Sequence, residues 1–218
     1  GKLVPKMRKT ASILYLLYIG LTVVNVVFLL LGNMPLFDAI CTAFGTAGTG
    51  GFGIKNDSIA GYSLYEQWII GIFMVLFGIN FNAYYFILLK HFKEAFSMEE
   101  VRAYLLIILG AVAIIFFNIL EMCHSAFDAL TKAFFQVASI MTTAGFATTN
   151  FDLWPSFSKM ILFMLMLIGA CAGSTGGGMK VSRVMIMFKG VKREIDRILH
   201  PRAVRPIRIG GNTISNDT

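Results

Sequence analysis

Three stretches of this chain hold the residues that could do chemistry, and the chemistry is that of backbone oxygen. Ala47-Gly48-Thr49-Gly50-Gly51-Phe52-Gly53 and Thr142-Thr143-Ala144-Gly145-Phe146 contain no acid, base or nucleophile pair. They offer carbonyl oxygens, which glycine can aim in directions other residues resist. Carbonyls that replace a hydration shell are how cation filters are built. The expected filter oxygens belong to Gly48, Thr49, Gly50 and Gly51, and to Thr142, Thr143, Ala144 and Gly145. The third stretch, Gly169–Gly178, holds five glycines in ten residues inside an apolar run. Each interior glycine costs a helix about 0.8–1 kcal/mol against alanine. A continuous helix is therefore not expected, and Gly169, Gly173, Ser174, Thr175, Gly176, Gly177 and Gly178 read as an irregular, gate-like segment lining a conduit. Asn80 and Asn82 of Gly78-Ile79-Asn80-Phe81-Asn82, with Lys180, are pore-lining candidates; for the two amides, packing against a neighbouring helix is an equal alternative.

Other chemistries fit poorly. Gly173–Lys180 looks phosphate-binding, but Met179 separates Gly178 from Lys180 and the flanks are apolar, against the strand and Gly-Lys-[Ser/Thr] of a P-loop. Lys180 and Arg183 are expected to snorkel at the conduit mouth or to sit near permeating ions. Glu121 and His124 have i, i+3 spacing but no further ligand set, and His91 and His200 have no visible partner. Cys41, Cys123 and Cys171 are odd in number and widely spaced, so free thiols are expected. No catalytic residues and no cofactor are expected.

The elements that must position these stretches are membrane elements. Hydrophobic residues make up 56% of the 218 and charged residues 14%, against roughly 45–50% and 25% in globular chains. This excludes a soluble fold, a disordered chain, a disulfide scaffold and a conventional nucleic-acid binder. Ala11–Leu31 is long enough to span a bilayer, which takes about 20 residues. Pro35–Thr46 is too short to span and leads into the first glycine turn. Ile54–Gln67 is polar, Trp68–Leu89 is apolar and Lys90–Glu100 is a charged connection. The pattern then restarts with apolar Ala103–Leu120, short Ser125–Met141, the second turn, polar Asn150–Ser158, and an apolar run from Met160 broken at Gly169. A basic helical pattern reaches about Leu199.

The two halves are a repeat. Phe37-Asp38-Ala39 matches Phe127-Asp128-Ala129 at an offset of 90, and Gly51-Phe52 matches Gly145-Phe146 at 94. The second short helix therefore carries four extra residues, about one turn. Each unit reads as spanning helix, half-length helix, glycine turn and spanning helix: an all-α membrane protein with two M1–pore loop–M2 repeats, part of a pseudo-fourfold pore. The units are 10–98 and 99–199, with 200–218 as a cytoplasmic tail or linker. A half-length helix points the negative end of its dipole at the membrane centre, where a cation gains from it. Ser125-x-x-Asp128 reads as a capping box at the other end. Irregular backbone survives at that depth only when buried in protein or lining water. Tight turns between packed helices are the bland alternative, and two such turns after two half-length helices favour the pore.

Basic residues set the orientation. Four of the 19 Lys and Arg precede Ala11, three fall in 90–102 and nine lie from Lys180 onward. The positive-inside rule puts both ends and the middle connection in the cytoplasm. Acids Asp38, Asp57, Glu66, Glu121, Asp128 and Asp152 lie in the opposite loops, where a modest field would draw cations.

The stretches Ser139–Phe151 "SIMTTAGFATTNF", Gly169–Val181 "GACAGSTGGGMKV", His200–Val204 "HPRAV" and Gly45–Gly53 "GTAGTGGFG" resemble the TrkH/KtrB superfamily of K+ transporters, in particular the bacterial Trk-type uptake family, over essentially the whole chain. The first turn resembles the filter of that family's second repeat, and the glycine-rich stretch resembles the intramembrane gating loop of the third. The resemblance implies K+ as the carried ion, bound at the filter and nowhere else. It also implies four such units around one pore, a homodimer in the lipid of the inner membrane, and a cytoplasmic nucleotide-binding regulatory ring. Gly51 and Gly145 are similar to the potassium-selective members. Two units leave a four-sided filter incomplete, so the expectation is an internal part of a longer chain with the missing repeats on either side; a half-length subunit assembling in pairs is the alternative. A Na+-permeable or ion-coupled transporter of the same fold competes with the K+ reading. A membrane-embedded enzyme would need acids or histidines at membrane depth, and a purely structural subunit would tolerate bulk at Gly51 or Gly145.

Overall fold

Apolar content and chain breaks dictate a stack of helices of unequal length. The computed structural model describes residues 3–199 and the short segments 208–209 and 212–213; the rest of the expected tail, 200–204 included, lies outside the described residues. The order is α1 (Leu3–Leu31), α2 (Leu36–Ala47), α3 (Leu64–Phe77), α4 (Phe81–Leu88), α5 (Phe92–Ser97), α6 (Glu99–Ile119), α7 (Ala126–Met141), α8 (Ser156–Ile168) and α9 (Val181–Leu199). Two-residue strands β1 (Arg208–Ile209) and β2 (Asn212–Thr213) pair antiparallel.

Two segments are long and apolar enough to cross a membrane, Thr10–Leu31 and Glu99–Met122. They are the first helices of the two units. Their flanks stay bare, with Leu16, Val23, Leu106, Leu109 and Phe117 exposed. In water such surface would be untenable; against hydrocarbon or further apolar helices it is ordinary. The chain is a helical, multi-pass membrane protein.

The half-length helix α2 packs against α1 and α3, and α7 against α6, α3 and α8. α7 is four residues longer than α2, the insertion that the change of repeat offset requires. The buried stripe of α2 is small: Ala39, Thr42, Ala43, Thr46 and Ala47. Small residues let backbones approach closely where there is no water to drive association. Their hydroxyls turn back on the helix. Thr46 and Thr142 donate to the carbonyls four residues earlier, at 2.8 and 2.7 Å.

The second apolar run of the first unit is not one spanning helix. α3 and α4 meet at 90° around Gly78–Asn80, a much sharper break than the sequence suggests. Asn80 begins α4 by accepting the Asn82 N–H at 2.9 Å. The carbonyls freed at the end of α3 all find donors. Tyr104 Oη donates to Val75 O at 3.1 Å and Tyr84 Oη to Leu76 O at 2.7 Å. Thr175 donates to Phe77 O and the Cys171 N–H to Gly78 O at 3.1 Å. Each orphan in an apolar medium would cost several kcal/mol, so these donors decide that the bend can exist.

Helix starts also differ from expectation. Ser125 accepts the Asp128 N–H at 3.1 Å, but the Asp128 carboxylate turns to Lys132 at 2.8 Å, so the expected box is one-sided. The reciprocal box is at Ser63-x-x-Glu66, heading α3. Ser63→Ala should cost about 1 kcal/mol, read as a lower melting temperature with transport retained. Asp38 accepts from Tyr62 Oη at 2.8 Å. Burial first, then this bond, pushes the Tyr62 phenol above its ordinary range, so it stays a neutral donor at physiological pH. Three of the outer acids, Asp38, Glu66 and Asp128, are thus spent on local structure, which leaves a weaker attracting field than the sequence suggests.

Candidate functional site: two helix-terminal turns and a glycine loop

The two glycine turns are copies of one helix C-cap. In the first, Gly48 N–H donates to Phe44 O, Thr49 N–H to Thr46 O and Gly50 N–H to Gly45 O. In the second, Thr142 N–H donates to Ala138 O, Thr143 N–H to Ile140 O and Ala144 N–H to Ser139 O. These three bonds recur at an offset of 94; the second turn adds Gly145 N–H to Ser139 O at 3.4 Å. Thr49 and Thr143 occupy the left-handed position (φ 51° and 60°) that glycine usually fills in such a cap. Two residues on, Gly51 and Gly145 are left-handed again (φ 70° and 88°).

The consequence is a separation of donors from acceptors. The turn N–H groups are consumed by the helix behind them. Among the described residues, the carbonyl oxygens of Thr49, Gly50, Gly51, Thr142, Thr143, Ala144 and Gly145 accept no hydrogen bond. Gly48 O differs, because Thr49 Oγ1 donates to it at 2.8 Å. A folded chain leaves few backbone groups unpaired, so seven acceptors on two touching turns concentrate negative partial charge there, with Thr142 and Ala144 on the buried side. The C-terminal ends of two helix dipoles add to it.

The turns also touch. A Cβ added to Gly51 would be driven into the carbonyl of Ala144, and one on Gly145 would lie 3.9 Å from Gly51 Cα. The ring of Phe146, fully buried, lies on Gly45, where a Cβ would come within 2.9 Å of it. Ile59 N–H donates to Ala147 O at 3.0 Å and Ala147 N–H to Ser58 Oγ at 3.2 Å. Phe52, the repeat equivalent of Phe146, is 89% exposed.

Residues 169–180 form an irregular loop between α8 and α9 with Gly169, Gly173 and Gly178 left-handed. It lies against both turns. Gly177 N–H donates to Thr143 Oγ1 at 2.6 Å, and Thr49 Oγ1 donates to Thr175 O at 3.3 Å. Gly176 sits so close that a Cβ there would be 3.0 Å from Thr142 O. The loop also interlocks with the α3–α4 bend, since Phe81 N–H donates to Gly173 O at 3.0 Å. Each break in one unit satisfies the backbone of the other. Lys180 folds back to donate to Gly176 O rather than reaching outward. Asn80 is buried and spends its amide on Asn82 and Glu100. Asn82 is exposed.

The Thr143 bond gives a direct test of the loop. Thr143→Val removes the acceptor of Gly177 N–H, whereas Thr143→Ser keeps it. The valine variant should raise basal Rb+ flux of the full-length protein severalfold and the serine variant should leave it near wild type. Equal behaviour of the two would show that this hydrogen bond does not hold the loop.

Some participants were invisible in the sequence. Glu100, Tyr104 and the Phe146–Gly45 contact depend on partners far along the chain; only the repeated Gly-Phe pair hinted at the last. Among the described residues no group of three or more His, Cys, Asp or Glu side chains converges as a metal site, and the three cysteines are free.

Comparison with known proteins fits this geometry. Residues 1–218 match the TrkH family, described as "Cation transport protein". The chain is similar to the Trk system potassium uptake protein TrkH of Salmonella typhimurium, 38% identical over 98% of this chain and 45% of that protein. It is 33% identical to the Trk system potassium uptake protein TrkG of Escherichia coli, over 99% of this chain and 45% of that protein. The crystal structure of the potassium transporter TrkH from Vibrio parahaemolyticus superposes with a TM-score of 0.91 at 36% identity, covering 98% of this chain and 47% of that one. The chain thus spans slightly under half the length of these relatives.

Proposed function

The chain belongs to the TrkH family of cation transport proteins, a transport rather than an enzyme family, and from that premise we propose that it supplies the central two of four pore units of a potassium uptake protein in the cytoplasmic membrane. The units are 10–98 and 99–199. The carbonyls of Thr49–Gly51 and Thr142–Gly145 coordinate the dehydrating ion, and 169–178 gates the path on the side of the basic chain ends.

The observation that carries this reading is the repeated cap: turn N–H groups donate to the helix behind them, and seven carbonyls accept no hydrogen bond at two touching helix ends. A cation supplies what those oxygens lack, and no side-chain chemistry is needed. The exposure of Phe52 beside the burial of Phe146 supports further units around the same axis, since Phe146 is covered by the unit before its own. The reading also carries assembly as a homodimer and a cytoplasmic nucleotide-binding regulator.

The test uses the full-length protein. It should restore growth of potassium-uptake-deficient bacteria at low K+ and carry Rb+ into liposomes. Inserted protein that does neither would overturn the reading. Na+ uptake undiminished by excess K+ would move it to the sodium-permeable alternative.

A further inference from the structure

Glu100 stands in the charged connection between the units, where the sequence gives it no task. The structure buries it, leaving 9% exposed. Its Oε1 accepts the N–H of Ala172 at 2.6 Å and that of Ser182 at 3.2 Å; its Oε2 accepts from Asn80 Nδ2 at 3.4 Å. Ala172 is the fourth residue of the glycine loop. Ser182 lies in the first turn of α9, beyond the loop's end. Asn80 caps α4 in the other unit and lies against Gly173. One carboxylate therefore ties both ends of the loop to the root of α6 and to the α3–α4 bend. The neighbouring Glu99 pairs with Lys189 of α9 at 2.6 Å.

We propose that Glu100 is a positioning residue that latches the glycine loop beneath the two turns and couples the loop to α9. The latch rests on the reading of 169–178 as a gate. A carboxylate at a helix N-terminus meets unpaired N–H groups and the positive end of the dipole. Charge-assisted bonds are about twice as strong as neutral ones. The loop has little stiffness of its own, since half of residues 169–178 are glycine. Its side-chain bonds to the turns number two, and the Thr49 bond is long at 3.3 Å. Beyond its backbone bonds to the α3–α4 bend, Glu100 supplies the charged anchor, near the start of the loop and just past its end. Displacing α9 would pull Ser182 from Oε1 and free the loop without touching the turns.

Cys171, fully buried in the loop and bonded through its N–H to Gly78 O, is a built-in reporter. In the full-length protein with every other cysteine replaced by serine, maleimide labelling of Cys171 and basal Rb+ flux are measured in liposomes. Glu100→Ala should speed labelling and raise flux roughly tenfold each, the factor that about 1.4 kcal/mol represents. Glu100→Gln, which keeps acceptor oxygen but loses the charge, should fall between. The Rb+/Na+ preference should not move, because the latch does not touch the oxygen-bearing turns. The proposal is overturned if both variants label at the wild-type rate, or if flux falls while Cys171 stays protected. Should Glu100→Ala fail to insert, wild-type labelling in Glu100→Gln alone overturns it. Labelling is independent of the ion carried, so it decides the latch even if the wild type carries no Rb+.

Discussion

Gly51→Ala in the full-length protein is expected to cut Rb+ uptake by about a hundredfold, the factor corresponding to roughly 2.7 kcal/mol. Two costs combine. Gly51 is left-handed (φ 70°), which penalises an L side chain by roughly 1–2 kcal/mol. The new Cβ also runs into backbone, the Ala144 carbonyl of the opposing turn, and backbone cannot rotate away as a side chain can. Relief must come from separating the two turns, which displaces one of the free oxygens. Gly145→Ala is the matched control. It bears the same kind of strain (φ 88°), but its Cβ meets only Gly51 Cα at 3.9 Å. It should lose about tenfold, within the strain term alone. Uptake in detergent-stable, correctly inserted variants measures both. Equal losses would mean that the contact between the turns is immaterial, and a silent Gly51→Ala would sink the filter assignment.

The second large effect has the opposite sign. Gly178 and Gly169 close the neck of the loop Cα to Cα: a Cβ on Gly178 would stand 2.6 Å from Gly169 Cα, and one on Gly169 would stand 2.7 Å from Gly178 Cα. Both residues are left-handed. Gly178→Ala pries the neck open, and the bond from Ala170 N–H to Gly177 O, already 3.4 Å, goes with it. Basal Rb+ flux should rise about tenfold, since the new side chain destabilises the closed loop by roughly 1–2 kcal/mol of conformational strain. Reduced flux from stable protein would show that the loop supports conduction instead of obstructing it.

Local rules made part of this legible in the sequence. The repeat, the half-length helices, the one-turn insertion and the break after Ile168 all follow from spacing and from the cost of glycine in a helix. The bend at Gly78–Asn80 is not legible in the sequence, since its one glycine, Gly78, needs no left-handed backbone (φ −76°). What permits the bend is a set of donors, two of which, Cys171 and Thr175, lie nearly a hundred residues away. The capping box expected at Ser125 yields to Lys132, one turn along the same helix, while the reciprocal box at Ser63 lies inside a polar stretch. Glu100 looked like one more charge in a cytoplasmic connection. Its burial depends on a loop 72 residues later folding over it, which no window of sequence contains.

The seating of Phe146 on Gly45 has a consequence for assembly. It is a heterologous contact: the surface that gives the ring and the surface that receives it are different parts of a unit. With two units in a row one giver stays unused, here Phe52, which is exposed. Only closure into a rotational ring uses up every giver, and an open row would keep an adhesive end. On the four-unit reading, the bare phenyl of Phe52 is the giver that a further unit would seat, and circular closure is what leaves no adhesive end.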